Sequence, residues 1–155
     1  GWKVGYLCAA PSLTHALTRA HQFLTFTTPP NLQTAVAWGL EHAGDWFRDM
    51  PLGLERSRDR MAEGLRREGF VVLPADGTYF LCLDLTGSGI AEGDRDFCLR
   101  GVKDAGVAAI PVSAFYETEP VTHIVRLCFS KGDQTLDEGV RRLSKARDLS
   151  RAAST

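Results

Sequence analysis

With 155 residues the chain has room for one ordinary domain and a buried core, but it is short for a two-domain enzyme. Lys and Arg (18) nearly cancel Asp and Glu (19), leaving a formal charge of -1 and no basic field to gather nucleic acid or an anionic membrane. A hydrophobic share of 44% with 24% charged residues argues against disorder and fibrous repeats, and no apolar run approaches the roughly 20 residues that span a bilayer. Cys8, Cys82, Cys98 and Cys128 stand singly in apolar stretches. They have neither the paired spacing of a zinc site nor the density of a disulfide scaffold, which fits a reducing cytoplasm.

In chain order, residues 1–10 (GWKVGYLCAA) are apolar and aromatic enough for a strand, which would need a partner to satisfy its backbone. Leu13, Ala16, Leu17 and Ala20 recur at helical spacing and predict a helix over 12–23. Thr25 to Pro30 forms a loop, and Asn31 is placed to cap a second helix that lasts until Gly44. The pattern from Asp45 to Glu68 is helical again, with Pro51 expected to break or kink it before a long charged helix that ends at Gly69. Short β-type runs follow at 70–73, 78–85, 107–112 and 122–129. Between and after them lie a helix over 94–105, stopped by Gly106, and another from about Asp133, with a frayed tail over 150–155. This order predicts an α/β chain whose C-terminal part is an α+β layer, with helices packed on one face of a small, largely antiparallel sheet. We expect two portions: residues 1–51, a remnant of a larger domain, and residues 52–155, a small domain that includes the long linking helix.

Three places invite a chemical reading. In Gly1-Trp2-Lys3-Val4-Gly5-Tyr6 the glycines permit close backbone approach, and Lys3 sets a point charge where a phosphate could be held. The plain alternative is a buried strand with a cationic end. In His123-Ile124-Val125-Arg126-Leu127-Cys128 the arginine leaves the face opposite Val125 and Leu127, and on that geometry alone an ordinary surface arginine is the plain explanation. Phe26 and Thr27 sit in the loop before two prolines, where a packed core phenylalanine is the everyday explanation. Tyr79 and Tyr116 could offer hydroxyls to a pocket but more often pack with the hydroxyl at a rim. The four histidines show no metal-like pairing, and the TGSGIAEG loop lacks the strand-to-helix context of a dinucleotide site.

GWKVGY is similar to the G-W-[RK]-x-G string of class I and II aminotransferases, the fold-type I enzymes that use pyridoxal 5'-phosphate (PLP). The segments His21-Gln22, Thr25-Phe26, Gln33-Thr34-Ala35, Gly77-Thr78-Tyr79-Phe80, Ile110 to Tyr116 and Val125 to Lys131 resemble, in order, the kynurenine and methionine aminotransferase branch. The resemblance implies a PLP-dependent aminotransferase that moves an amino group from an amino acid to a 2-oxo acid. It implies Lys3 on the cofactor phosphate, Arg126 forked onto the substrate carboxylate, and a loop carrying Phe26 and Thr27 that crosses a homodimer interface to line the substrate pocket. Some relatives of the kynurenine branch carry histidine where this chain has Thr27, which weakens an expectation of aromatic substrates.

The same resemblance puts the Schiff-base lysine upstream of Gly1, so no catalytic residue is expected within the chain, and the chain alone is expected to be inactive. Lys103, Lys131 and Lys145 lack the flanking pattern to replace it. The expected reading is a C-terminal fragment of a longer enzyme rather than one of two separate chains. A PLP-dependent carbon-sulfur β-lyase of the same fold and a non-catalytic binding or assembly module stand as alternatives.

Overall fold

The computed structural model describes residues 2–153. The chain forms two compact units, one up to Asp49 and one from Met50 onward.

The first unit is built on two helices, α1 (Pro11–Leu24) and α2 (Pro30–His42), with the start of α3 (Gly44–Arg67). Residues 2–10 form no strand, contrary to the expectation from their composition. A strand is half of a ladder, and no described residue pairs with this segment in one. Both helices begin with proline at the first helical position, where the missing N–H is an orphan anyway and the fixed φ suits a helix. Pro29, not Asn31, is therefore the N-cap of α2, and Asn31 lies inside the helix. α1 closes through Thr25 and Phe26, whose N–H groups both reach the His21 carbonyl, at 2.9 and 3.2 Å. No described residue of this unit is buried, and Leu13, Phe23, Leu24, Phe26 and Trp38 are exposed.

Pro51 does not break the third helix: α3 continues through it from Gly44 to Arg67. The proline removes one donor to the carbonyl four residues earlier, at Phe47. Both residues are exposed, so water can take that bond.

The second unit carries the core. β1 (Val71–Val72), β2 (Phe80–Asp84), β3 (Ile110–Pro111) and β4 (Ile124–Cys128) make one antiparallel sheet in the order β1-β2-β4-β3. Leu81 and Leu83 of β2 alternate with half-buried neighbours, and Val125 and Leu127 of β4 with half-buried or exposed ones, so all four point to one face. Against that face pack Met61 and Leu65 of α3, Phe97 and Cys98 of α4 (Asp94–Arg100), and Leu136, Leu143 and Ala146 of α5 (Asp133–Ala153). Helices on one face of a small antiparallel sheet is the architecture that the run of elements predicts. Each large apolar side chain so buried contributes about 1.5–3 kcal/mol.

Local chemistry ends the elements where the core requires. α4 passes into a π-helical turn, Gly101–Ala105, and stops at Gly106, whose φ of 71° is left-handed. The TGSGIAEG loop is tied to the sheet: the Ser88 hydroxyl accepts from the Val71 N–H at 2.9 Å, and Asp84 accepts from the Gly87 N–H at 2.9 Å. α5 runs on to Ala153 with Ser150 buried, so the tail is ordered helix rather than frayed up to that point. The end of the expected frayed stretch, residues 154–155, lies outside the described residues. Burial and the charge of Asp94 push the Cys98 thiol up to about 12.

On the surface of α5, Arg141 and Arg142 both bond Glu138 and hold its carboxyl down at about 2, below the ordinary 4.5. A carboxyl depressed in the folded state stabilises fully above its unfolded pKa and loses that contribution as pH falls through the folded value. Glu138→Gln is therefore expected to flatten part of the loss of stability on going from pH 4.5 to about 2. Melting temperatures followed against pH at low salt check this, because exposed pairs are screened.

Candidate functional site

β2 and β4 turn a second face away from the core, carrying Phe80, Cys82 and Asp84 opposite Cys128, Arg126 and Ile124. Arg126 lies on a central strand, with Cys82 across from it on β2 and Ile110 across from it on β3. Its guanidinium carbon stands 4.7 Å from the centre of the Phe80 ring and 5.0 Å from that of Phe115. Phe80 reaches it as the diagonal cross-strand neighbour on the same face. Phe115 reaches it from the 3-10 turn Val112–Phe115 that follows β3.

This arginine differs from six others of its unit. Arg58, Arg60, Arg100, Arg141, Arg142 and Arg147 each pair with a carboxylate. Arg126 is half-buried, and among the described residues no carboxylate bonds to it. Two rings lie within cation–π reach of it while no described carboxylate takes its N–H fork, an arrangement that can receive a carboxylate through two parallel bonds. Its charge also acts locally: burial pushes the Cys82 thiol up, and the Arg126 cation opposes that rise.

Backbone strain marks the approach to this face. Thr78, just ahead of β2, has φ 67°, a left-handed conformation that a β-branched residue rarely adopts. The neighbouring Tyr79 carbonyl accepts from Phe129 N–H at 2.9 Å and so ties the strained turn to the end of β4. Tyr79 and Tyr116 are both exposed.

The remaining candidates of the sequence lie in the first unit. Lys3 is exposed in the extended segment, with no ion pair to a described residue. Phe26 is 79% exposed and also takes a left-handed φ of 67°, at the position after α1 where glycine is usual. Phe26 is thus no part of the core that the described residues form. Thr27 follows it, its hydroxyl donating to the Thr28 carbonyl at 3.2 Å. Phe26 and Thr27 line, with Tyr6, Leu17 and Leu40, an open hollow of about 720 Å³. Gly1 of the opening string lies outside the described residues.

Sequence reasoning singled out Arg126 but missed Phe80 and Phe115 as its flanking rings. The signal was available for Phe80, whose parity along β2 puts it on the arginine's face once the two strands are paired. None was available for Phe115, which a turn rather than a strand delivers.

Free thiols at Cys8, Cys82, Cys98 and Cys128 form no disulfide. No helix among the described residues is long and apolar enough to cross a membrane.

Comparison with known proteins bears on the same residues. A probable N-succinyldiaminopimelate aminotransferase of Mycobacterium tuberculosis is 38% identical over 153 residues, covering 93% of this chain and 38% of its own length. The methionine aminotransferase of Escherichia coli K12 is 35% identical over 144 residues, covering 92% of this chain and 37% of its own. The solved structure of N-succinyldiaminopimelate aminotransferase from Mycobacterium tuberculosis superposes with a TM-score of 0.84 at 40% identity, over 94% of this chain and 38% of that one. The chain thus spans well under half the length of the relatives it matches. Residues 1–143 match the family Aminotransferase class I and II, and the chain belongs to that family.

Proposed function

We propose that the complete protein is a PLP-dependent aminotransferase, transferring an amino group from an amino acid to a 2-oxo acid, and that Arg126 receives the carboxylate common to both. The observation that carries this reading is the half-buried guanidinium beside the Phe80 and Phe115 rings, with no carboxylate bonded to it among the described residues. A substrate class defined by a carboxylate next to a reacting carbon needs such a fork more than any other feature. Two parallel charge-assisted bonds fix both the position and the rotation of the bound acid.

The residues present fit the cofactor at its phosphate end. Lys3 is an exposed cation with no ion-pair partner among the described residues, and a compact ammonium can approach a phosphate oxygen directly. PLP, when bound, supplies the electron sink that lets the α-proton of the amino acid leave. Within this chain, Lys3 holds the phosphate, Arg126 orients the carboxylate, and the rings of Phe80 and Phe115 flank its guanidinium. Phe26 and Thr27 contribute to the substrate pocket across a homodimer interface, a role consistent with their strained, outward-turned loop. We assign residues 1–51 to a large cofactor-binding domain, residues 52–155 to a small domain, and the protein to the cytoplasm, in keeping with its free thiols.

The complete protein, incubated with PLP, a panel of amino acids and a 2-oxo acid, is expected to yield a new 2-oxo acid matched mole for mole by an aminated acceptor. Ammonia with pyruvate from a sulfur amino acid would replace transfer by carbon-sulfur β-elimination. Neither product, with any donor, would leave a binding module.

A further inference from the structure

The Phe115 ring is held over Arg126 by a buried device on another segment. Asp94, the first residue of α4, is 1% exposed, and Ser113 is 4% exposed. Asp94 Oδ2 accepts the Ser113 backbone N–H at 2.7 Å, and its Oδ1 accepts the Ser113 hydroxyl at 2.9 Å. That hydroxyl in turn accepts from Arg95 Nε at 3.3 Å. Both oxygens of a buried carboxylate are therefore spent on one residue of the turn that carries Phe115. The Asp94 backbone N–H also donates to the Thr122 carbonyl at 2.7 Å, two residues before β4 begins. Phe97 and Cys98 fix α4 in the core, so Asp94 is a rigid post. From it hang the turn bearing Phe115 and the entry to the strand bearing Arg126.

A carboxylate taken fully out of water costs several kcal/mol unless each oxygen is bonded. Fastening a short surface turn would not by itself need so expensive a group, since β3 already pairs the preceding residues to β4. The geometry points to Asp94 and Ser113 as positioning residues that set the Phe115 ring against the Arg126 guanidinium and so tune its grip on a substrate carboxylate. This rests on the reading of Arg126 as the carboxylate receptor.

The test uses the complete, PLP-loaded protein, with propanoate as a carboxylate probe whose dissociation constant is measured by calorimetry, alongside the melting temperature and the affinity for PLP. Ser113→Ala is expected to weaken propanoate about fourfold, the size of a cation–ring contact at a partly exposed site. PLP affinity is expected to stay within about twofold, and Ser113→Thr, which keeps the hydroxyl, to restore most of the loss. Phe115→Leu should weaken propanoate similarly, and adding Ser113→Ala to it should weaken it no further, because both act through one ring. Asp94→Asn serves as a second probe of the post should Ser113→Ala fail to fold. A lowered melting temperature with unchanged propanoate binding in the serine and aspartate variants overturns the proposal, as do additive effects in the double variant. If Arg126→Ala itself leaves propanoate binding unchanged, the carboxylate reading falls and the proposal with it. If Arg126→Ala abolishes binding while Ser113→Ala does not, only the proposal falls.

Discussion

Arg126→Ala in the complete protein raises the Michaelis constant for the amino acid about a hundredfold, and that for the 2-oxo acid by a comparable factor. Removing one partner of a desolvated, hydrogen-bonded charge pair costs on the order of 2–5 kcal/mol, and the half-exposed position of Arg126 argues for the lower part of that range. Lysine at the same position keeps the charge but loses the planar fork and its stacking between the Phe80 and Phe115 rings. Arg126→Lys should therefore recover only part of the loss, about tenfold. Thermal stability should fall only modestly, by about 1–2 kcal/mol, because no described carboxylate depends on this guanidinium and its two ring contacts are worth roughly 0.5–1 kcal/mol each at such a site. Steady-state kinetics with donor and acceptor varied separately checks the expectation. An unchanged Michaelis constant for both substrates would remove Arg126 from the role.

What could be read from the sequence follows the range of the forces involved. β2 and β4 were legible because alternation is local: Leu81 with Leu83, and Val125 with Leu127, declare a buried face without reference to any partner. The long helices were legible for the same reason, and their glycine ends, Gly69 and Gly106, take the left-handed φ values that such stops use. The opening segment failed because β-type composition states only that a strand would be tolerated, while the ladder must come from elsewhere. Pro51 misled because the rule against helical proline prices a lost bond that solvent can restore on an exposed turn. In the site, Arg126 was visible through its register with neighbouring strings, but its surroundings were not. Phe80 arrives by cross-strand diagonal, Phe115 by a turn, and Asp94 from a helix nineteen residues before the serine it holds. None of those distances has a period that a sequence can show.

The two units should also part company when separated. Residues 50–153 expressed alone are expected to fold cooperatively, and residues 1–49 alone to show no melting transition. The reason is where apolar surface goes. Every buried hydrophobic side chain of the described residues, from Met61 to Ala146, belongs to the second unit, and these side chains form one cluster with the sheet at its centre. A unit of that size with a four-stranded sheet backed by helices has enough buried area to offset its chain entropy. In the first unit Trp38, Phe23 and Leu24 remain exposed, and helices of 14 and 13 residues are marginal in water without packing. Circular dichroism during thermal melting of each piece reads this directly. Within residues 50–153, Phe97→Ala should cost about 3–5 kcal/mol, since the ring is 1% exposed at the centre of the cluster, and the cavity cannot be refilled from solvent. A loss of that size is a large part of the roughly 5–15 kcal/mol that holds an ordinary domain together. Cooperative melting of residues 1–49 alone would refute the assignment of the core to the second unit. A non-cooperative 50–153 would mean that this cluster needs apolar cover from outside itself.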